Sequence, residues 1–324
     1  MNQPKTHSPA RLLLGATGGT IATPRGEHQP RNARQLADLV MNADSFRRFS
    51  LDPLDFFHLD SSAVEIDHIL TMIRRMGELL DDSHAGVVIT HGTDMMEETA
   101  FLWDLFWDRP VTAVLTGAMR SAYTPGEDGP RNLLAACLTA AHPEAASQGP
   151  LLVMHDEIFR AGEVTKLHTY RVDSFHSDHG PIGLMDADFT IHMHRKAART
   201  PTYSLPSSLG PPLPILTAAM SEDGRWIDSC VAAGIPGLVV AAAGRKGIPS
   251  AMGKALQRAI DANVLVVGAS RCPLGDTDLG IGRNDILWAG SLNPIKARLL
   301  LMTGLTLYGS DVAQIEGMFR AFHG

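Results

Sequence analysis

Three times in the first 120 residues a short apolar run stops at a loop of glycine and threonine. Leu12-Leu13-Leu14 leads into Gly15-Ala16-Thr17-Gly18-Gly19-Thr20, Val87-Val88-Ile89 into Thr90-His91-Gly92-Thr93-Asp94, and Val111 to Leu115 into Thr116-Gly117-Ala118-Met119-Arg120. Apolar runs this short, bounded by turn residues, suit strands buried on both faces, and such strands belong to parallel sheets covered by helices. Between the runs the spacing becomes helical. From Ser62 to Asp82 the residues Ile66, Ile69, Leu70, Ile73, Met76, Leu79 and Leu80 recur at helical intervals, with Ser62 and Glu65 placed as a capping box. Further helices are expected from about Met95 to Trp107 and from Pro130 to Ala141. The alternation predicts an α/β fold, in which ligands bind at the carboxyl edge of the sheet.

The segment Arg195 to Pro214 breaks this pattern with Pro201, Pro206, Pro211, Pro212 and Pro214, several serines and Gly210, the composition of an interdomain linker. Beyond it a strand and turn (Gly237 to Gly244), a helix (Pro249 to Ala262), a strand (Val264 to Gly268) and helices starting near Pro294 and Ser310 restore the alternation. Two α/β domains are therefore expected: a larger N-terminal domain with a parallel sheet over 1–194, a linker over 195–213, and a smaller flavodoxin-like domain over 214–324. The full 324 residues are ample for two cores.

Charge and cysteine usage narrow the function classes. Lys and Arg number 28 against 35 Asp and Glu, a net charge of -7, and no basic stripe is present to neutralise a row of phosphates, so neither nucleic acid nor an anionic membrane is an expected partner. Met1 to Ala10 is polar and the first apolar run is far shorter than a signal-peptide core, so export and insertion are not expected. Cys137, Cys230 and Cys272 form no CxxC pair, which argues against a disulfide framework or a cysteine zinc site and for a reducing cytoplasm. His192 and His194 alternate as strand residues do, but no third ligand stands at a recognisable spacing; they read as solvent-facing, and no metal or cofactor is expected.

Each loop has more than one reading. Glycines after the first strand suit a dinucleotide turn, but Thr20 and Ile21 stand where its third glycine would fall and no acidic residue stands at the end of a clear second strand about 20 residues on. A tight turn that needs glycine is the plainer account, and a pair of threonine hydroxyls beside exposed backbone N–H groups is the nucleophilic one. In the second loop Asp94 followed by Glu97 makes a good helix cap, while its hydroxyls and carboxylate also suit a site at a strand end. Lys166, in Val164-Thr165-Lys166, is either a solvated surface charge or, if desolvated, a base.

Taken together, Thr17-Gly18-Gly19-Thr20-Ile21-Ala22, His91-Gly92-Thr93-Asp94-x-Met96-Glu97-Glu98-Thr99, Gly117-Ala118-Met119-Arg120 with Asp128-Gly129-Pro130-x-Asn132-Leu133, Val164-Thr165-Lys166, and Gly290-Ser291-Leu292-Asn293-Pro294-x-Lys296-Ala297-Arg298 resemble, in order and spacing, the motifs of the bacterial L-asparaginase/glutaminase family. The resemblance covers nearly the whole chain. It implies two α/β domains, a homotetramer of close dimers, and cofactor-free hydrolysis of a small-molecule amide to a carboxylate and ammonia. Thr20 matches the nucleophile, and Thr93, Asp94 and Lys166 match the family's second threonine, aspartate and lysine. Backbone N–H groups near Ala118 are expected to hold the oxyanion.

Departures fall at the substrate positions. No tyrosine occurs from Ile21 to Met41, where the family's mobile loop carries one. Ser61-Ser62 stands for a Ser-Gln pair, Gly244-Arg245-Lys246 for a Gly-Asn turn that reaches a neighbouring site, and only Asp276 or Asp278 is available for a family glutamate. These changes predict weaker recognition of an α-amino group, with Arg245 adding like charge. They leave a specialised amide or lactam hydrolase, or a ligand sensor without turnover, as alternatives.

Overall fold

The computed structural model describes residues 9–23, 30–41, 49–196, 199–282 and 285–322, and the chain divides into two compact units, Met1–Leu205 and Pro206–Gly324. In the first unit β1 (Ala10–Gly18), α1 (Ala33–Met41), β2 (Phe49–Leu59), α2 (Ile66–Leu79), β3 (His84–Thr90), α3 (Met96–Phe106), β4 (Thr112–Thr116), α4 (Gly129–Ala140) and β5 (Leu151–Met154) alternate strand and helix. Then β6 (Glu157–Arg160), a two-residue pair β7 (Thr165–Lys166) and β8 (Phe175–His176), β9 (Gly183–Met185) and β10 (Ile191–Met193) complete the unit. Among the described residues the main sheet runs β10-β9-β6-β5-β4-β3-β1-β2. From β2 to β5 the pairing is parallel, and from β5 outward to β10 it is antiparallel.

Both faces of the parallel part are covered, which is why its strands are continuous apolar runs. Leu12, Leu14, Val88 and Val114 pack with residues of α1 and α4, while Leu13, Val87 and Ile89, pointing the other way by the period of two, are buried as well. After β1 the chain steps to β2 on one side and then crosses to β3 on the other. Such a reversal opens a crevice at the carboxyl ends of the two central strands, here the ends of β1 and β3. On the outer side β2 carries Pro53 opposite Leu14.

Three local details differ from the sequence reading. The first strand continues through Ala16 to Gly18, because its pairing with β2 and β3 carries on past Leu14. Ser62 does not cap α2: a single 3-10 turn, Ser61–Ala63, intervenes, and the box is formed by Glu65 with His68, whose Nδ1 accepts from the Glu65 N–H at 3.0 Å. Nor does Asp94 cap α3; Met95 holds the cap position with no side-chain bond.

In the second unit β11 (Ile215–Thr217), α5 (Arg225–Ala232), β12 (Gly237–Ala242), α6 (Ser250–Asp261), β13 (Leu265–Ser270), β14 (Leu279–Ile281), β15 (Leu287–Ala289), α7 (Pro294–Tyr308) and α8 (Val312–Ala321) form a sheet ordered β11-β12-β13-β15-β14 among the described residues. Only β14 is antiparallel to its neighbour. Leu238, Val240, Val266, Trp288, Met252 and Leu256 make its core with α6.

The described part of the proline-rich segment is hydrogen-bonded to each unit in turn. On the first unit Arg199 donates to Trp107 O at 2.6 Å, Thr200 Oγ1 to Asp104 at 2.7 Å, and Tyr203 N–H to Leu105 O at 2.8 Å. On the second, Gly210 N–H donates to Thr306 Oγ1 at 3.0 Å and Arg298 to Leu213 O at 2.7 Å.

Candidate active site

The ends of β1 and β3 touch through glycine backbone. Gly18 and Gly19 have φ of 97° and 78°, a region open mainly to glycine, and a Cβ on Gly19 would stand 2.5 Å from Gly92 Cα. A Cβ on Gly92 would in turn meet Ser61 Cβ and Oγ at 2.8 Å. The close approach that glycines permit is thus used by protein backbone, not by a pyrophosphate. Thr17 Oγ1 donates to Thr90 O at 2.9 Å and ties the two strand ends together. Thr20 then opens a short 3-10 turn, Thr20–Ala22, anchored by the buried side chains of Ile21 and Ala22, with Thr20 itself partly exposed.

Facing this loop is a cluster drawn from two distant stretches of chain. Lys166 Nζ donates to Thr93 Oγ1 at 3.1 Å and to Asp94 Oδ1 at 2.9 Å. The lysine side chain is only 15% exposed, whereas that of Asp94 is 71% exposed, so the ion pair runs from the interior to the open side of the site. Ser61 Oγ accepts from the Asp94 N–H at 3.1 Å and links the turn after β2 to the loop after β3. Lys166 is therefore not a solvated surface charge, and Asp94 holds the lysine instead of capping a helix.

The loops are supported from below. His91 is fully buried: Nδ1–H donates to Gly92 O at 2.7 Å and Nε2 accepts from Thr99 Oγ1 at 3.2 Å. Desolvation lowers its proton affinity to about 4, so it is neutral in the folded protein. The loop after β4 hangs on Asp128, which accepts from Met119 N–H, Arg120 N–H and Asn132 Nδ2 at 3.1, 2.8 and 3.0 Å. Asn132 also donates to Gly117 O at 3.0 Å, and Ala118 lies buried between these supports.

Of the residues singled out from sequence, Ser61, Thr93, Asp94 and Lys166 form one bonded cluster, and Thr20 leaves the loop that packs against it. Ser62 is exposed on its turn. Arg245 lies in the second unit, where its guanidinium pairs with Asp278 at 2.8 Å, and Lys246 pairs with the same carboxylate. One carboxylate is shared by two cations, so this corner of the second unit keeps a net positive charge. Sequence reasoning missed the second role of Glu97: its Oε2 accepts from the Lys166 N–H at 2.9 Å. Its three-residue spacing from Asp94 reads as a helix cap, and that local reading hides a partner far along the chain. His192 pairs with Asp186 at 2.7 Å, and no group of three or more His, Cys, Asp or Glu suited to a metal occurs among the described residues. No helix among them is long and apolar enough to cross a membrane.

Comparison with known proteins agrees with this architecture. Residues 11–199 match the model of the asparaginase N-terminal domain and residues 214–319 that of the glutaminase/asparaginase C-terminal domain. L-asparaginase 2 of Bacillus subtilis is 31% identical over 96% of this chain and 86% of that protein, and a probable L-asparaginase of Deinococcus radiodurans is 34% identical over 95% and 98%. The crystal structure of a probable cytoplasmic L-asparaginase from Campylobacter jejuni superposes with a TM-score of 0.86 at 29% identity, covering 96% of this chain and 99% of that one. The two matching domains and these relatives make the chain an amidohydrolase. The chain belongs to the asparaginase family.

Proposed function

We propose that this protein hydrolyses the side-chain carboxamide of a small amino acid of the L-asparagine type, with Thr20 as nucleophile and Thr93, Asp94 and Lys166 as its proton route. The observation that carries the reading is the Lys166 ammonium bonded at once to Thr93 Oγ1 and Asp94 Oδ1, beside the loop that ends at Thr20. A threonine hydroxyl attacks an amide only as its proton leaves. In the proposed sequence that proton passes through the Thr93 hydroxyl to Lys166, which hands one of its own to Asp94 Oδ1, while Thr20 Oγ bonds to the amide carbon. The Ala118 N–H, not one of those that Asp128 takes, stabilises the oxyanion, the C–N bond breaks as nitrogen takes the proton back along that route and departs as ammonia, and water then cleaves the threonyl ester to release a carboxylate and restore the hydroxyl.

Asp94 is the available acceptor for a substrate ammonium, but one of its oxygens is engaged by Lys166 and the exposed Ser62 adds only a hydroxyl. L-asparagine is therefore expected to bind weakly, with a KM of roughly 1 mM or above. Analogues lacking the ammonium should compete better, which is the specific ground for keeping a specialised amide or lactam as the alternative substrate. We further infer a homotetramer of close dimers, supported by family membership, and a reducing cytoplasmic location, supported by three unpaired cysteines.

Coupled ammonia release tests the reading. Thr20→Ala, Thr93→Val and Lys166→Met should each lower kcat by at least about a thousandfold with the fold retained. Near-native turnover in Thr20→Ala would overturn the assignment.

A further inference from the structure

Lys166 stands on a strand that the main sheet does not hold. β7 pairs only with β8, two residues against two, in a sheet of its own among the described residues. A pair this short has little independent stability, so something else must set the height of the lysine. Glu97 is placed to do so. It belongs to the first turn of α3, it is only 7% exposed, and its Oε2 accepts from the Lys166 backbone N–H at 2.9 Å. A carboxylate that deep is tolerated only when donors meet it, and the lysine main chain supplies one.

Thr93 and Asp94, just before α3, hold the far end of the same residue at Nζ. One helix start therefore grips Lys166 at both ends, main chain and ammonium. A slip of about 1 Å would carry both side-chain bonds beyond hydrogen-bond reach. Resting on the catalytic reading above, we infer that Glu97 is a positioning residue: its carboxylate fixes the β7 backbone so that the Lys166 ammonium can meet Thr93 and Asp94 together.

The test compares Glu97→Met, similar in volume but without an acceptor, with Glu97→Gln, which keeps a carbonyl oxygen for the N–H. Glu97→Met should lose about a hundredfold in kcat with KM little changed. Its amide hydrogen exchange over residues 165–176 should rise about tenfold while the rest of the chain stays protected. Glu97→Gln should keep most of the turnover and native exchange in that hairpin. The inference is overturned if Glu97→Met retains native kcat, if Glu97→Gln is damaged as badly, or if exchange rises evenly through the molecule. Should Glu97→Met aggregate, Glu97→Gln decides by exchange alone: a protected hairpin supports the inference and a released one defeats it. Absence of ammonia release from the wild-type protein on every amide would sink the catalytic reading, whereas the exchange arm still reports whether Glu97 anchors the strand.

Discussion

Burial decides what His91 can do. Both ring nitrogens are satisfied, one by the loop at Gly92 and one by Thr99 of α3, and desolvation sets its proton affinity at about 4, against the opposing hydrogen bond to Gly92 O. Since this lies below the value of about 6.5 in an unfolded chain, the unfolded state takes up the proton first as the pH falls. Stability is therefore undiminished above about pH 6.5, declines through the interval down to about 4, and has lost about 3 kcal/mol from this group below it. Thermal unfolding across pH 4 to 7 should show a steeper fall for the wild type than for His91→Gln; equal slopes would remove His91 as the cause. The Gly19 contact gives a second expectation at this scale. Gly19→Ala places a methyl carbon on Gly92 backbone at a positive φ, and should cost about 2–4 kcal/mol together with most of the activity, measured by denaturant melts and ammonia release.

At the scale of elements, the buried central strands and the longer helices were legible because their periods were, whereas α1, the half-buried β2 and the short strands after β4 carried no such period, and the ends were less legible still. Ile66 to Leu79 announced α2, yet its cap moved from Ser62 to Glu65 because an unforeseen 3-10 turn consumed the serine. Thr20, Thr93 and Lys166 stood out as hydroxyls and an amine at strand ends and in motifs. Glu97 did not, because a local partner explained it in sequence while its actual partner lies 69 residues away. The β5–β6 hairpin was equally silent. His155 and Asp156 join its strands with φ of 53° and 64°, the signs of a type I′ turn, and neither is the residue such a turn favours first. His155→Asn should therefore raise stability by about 0.5 kcal/mol, read as a higher denaturant midpoint with unchanged m-value.

At the scale of the whole molecule, assembly is the open expectation. Light scattering should find a homotetramer at assay concentration, and a fully active monomer would reject it. The broad outer strand β2 bears on a different hazard. An edge of eleven residues offers a row of unpaired backbone donors and acceptors to any passing extended chain. Pro53 stands near the middle of that strand, and proline, which brings no N–H, is confined in sheets to edge strands, strand starts or bulges. A strand added on this side would meet a position that cannot donate, so one imino acid makes growth of the sheet beyond β2 less favourable.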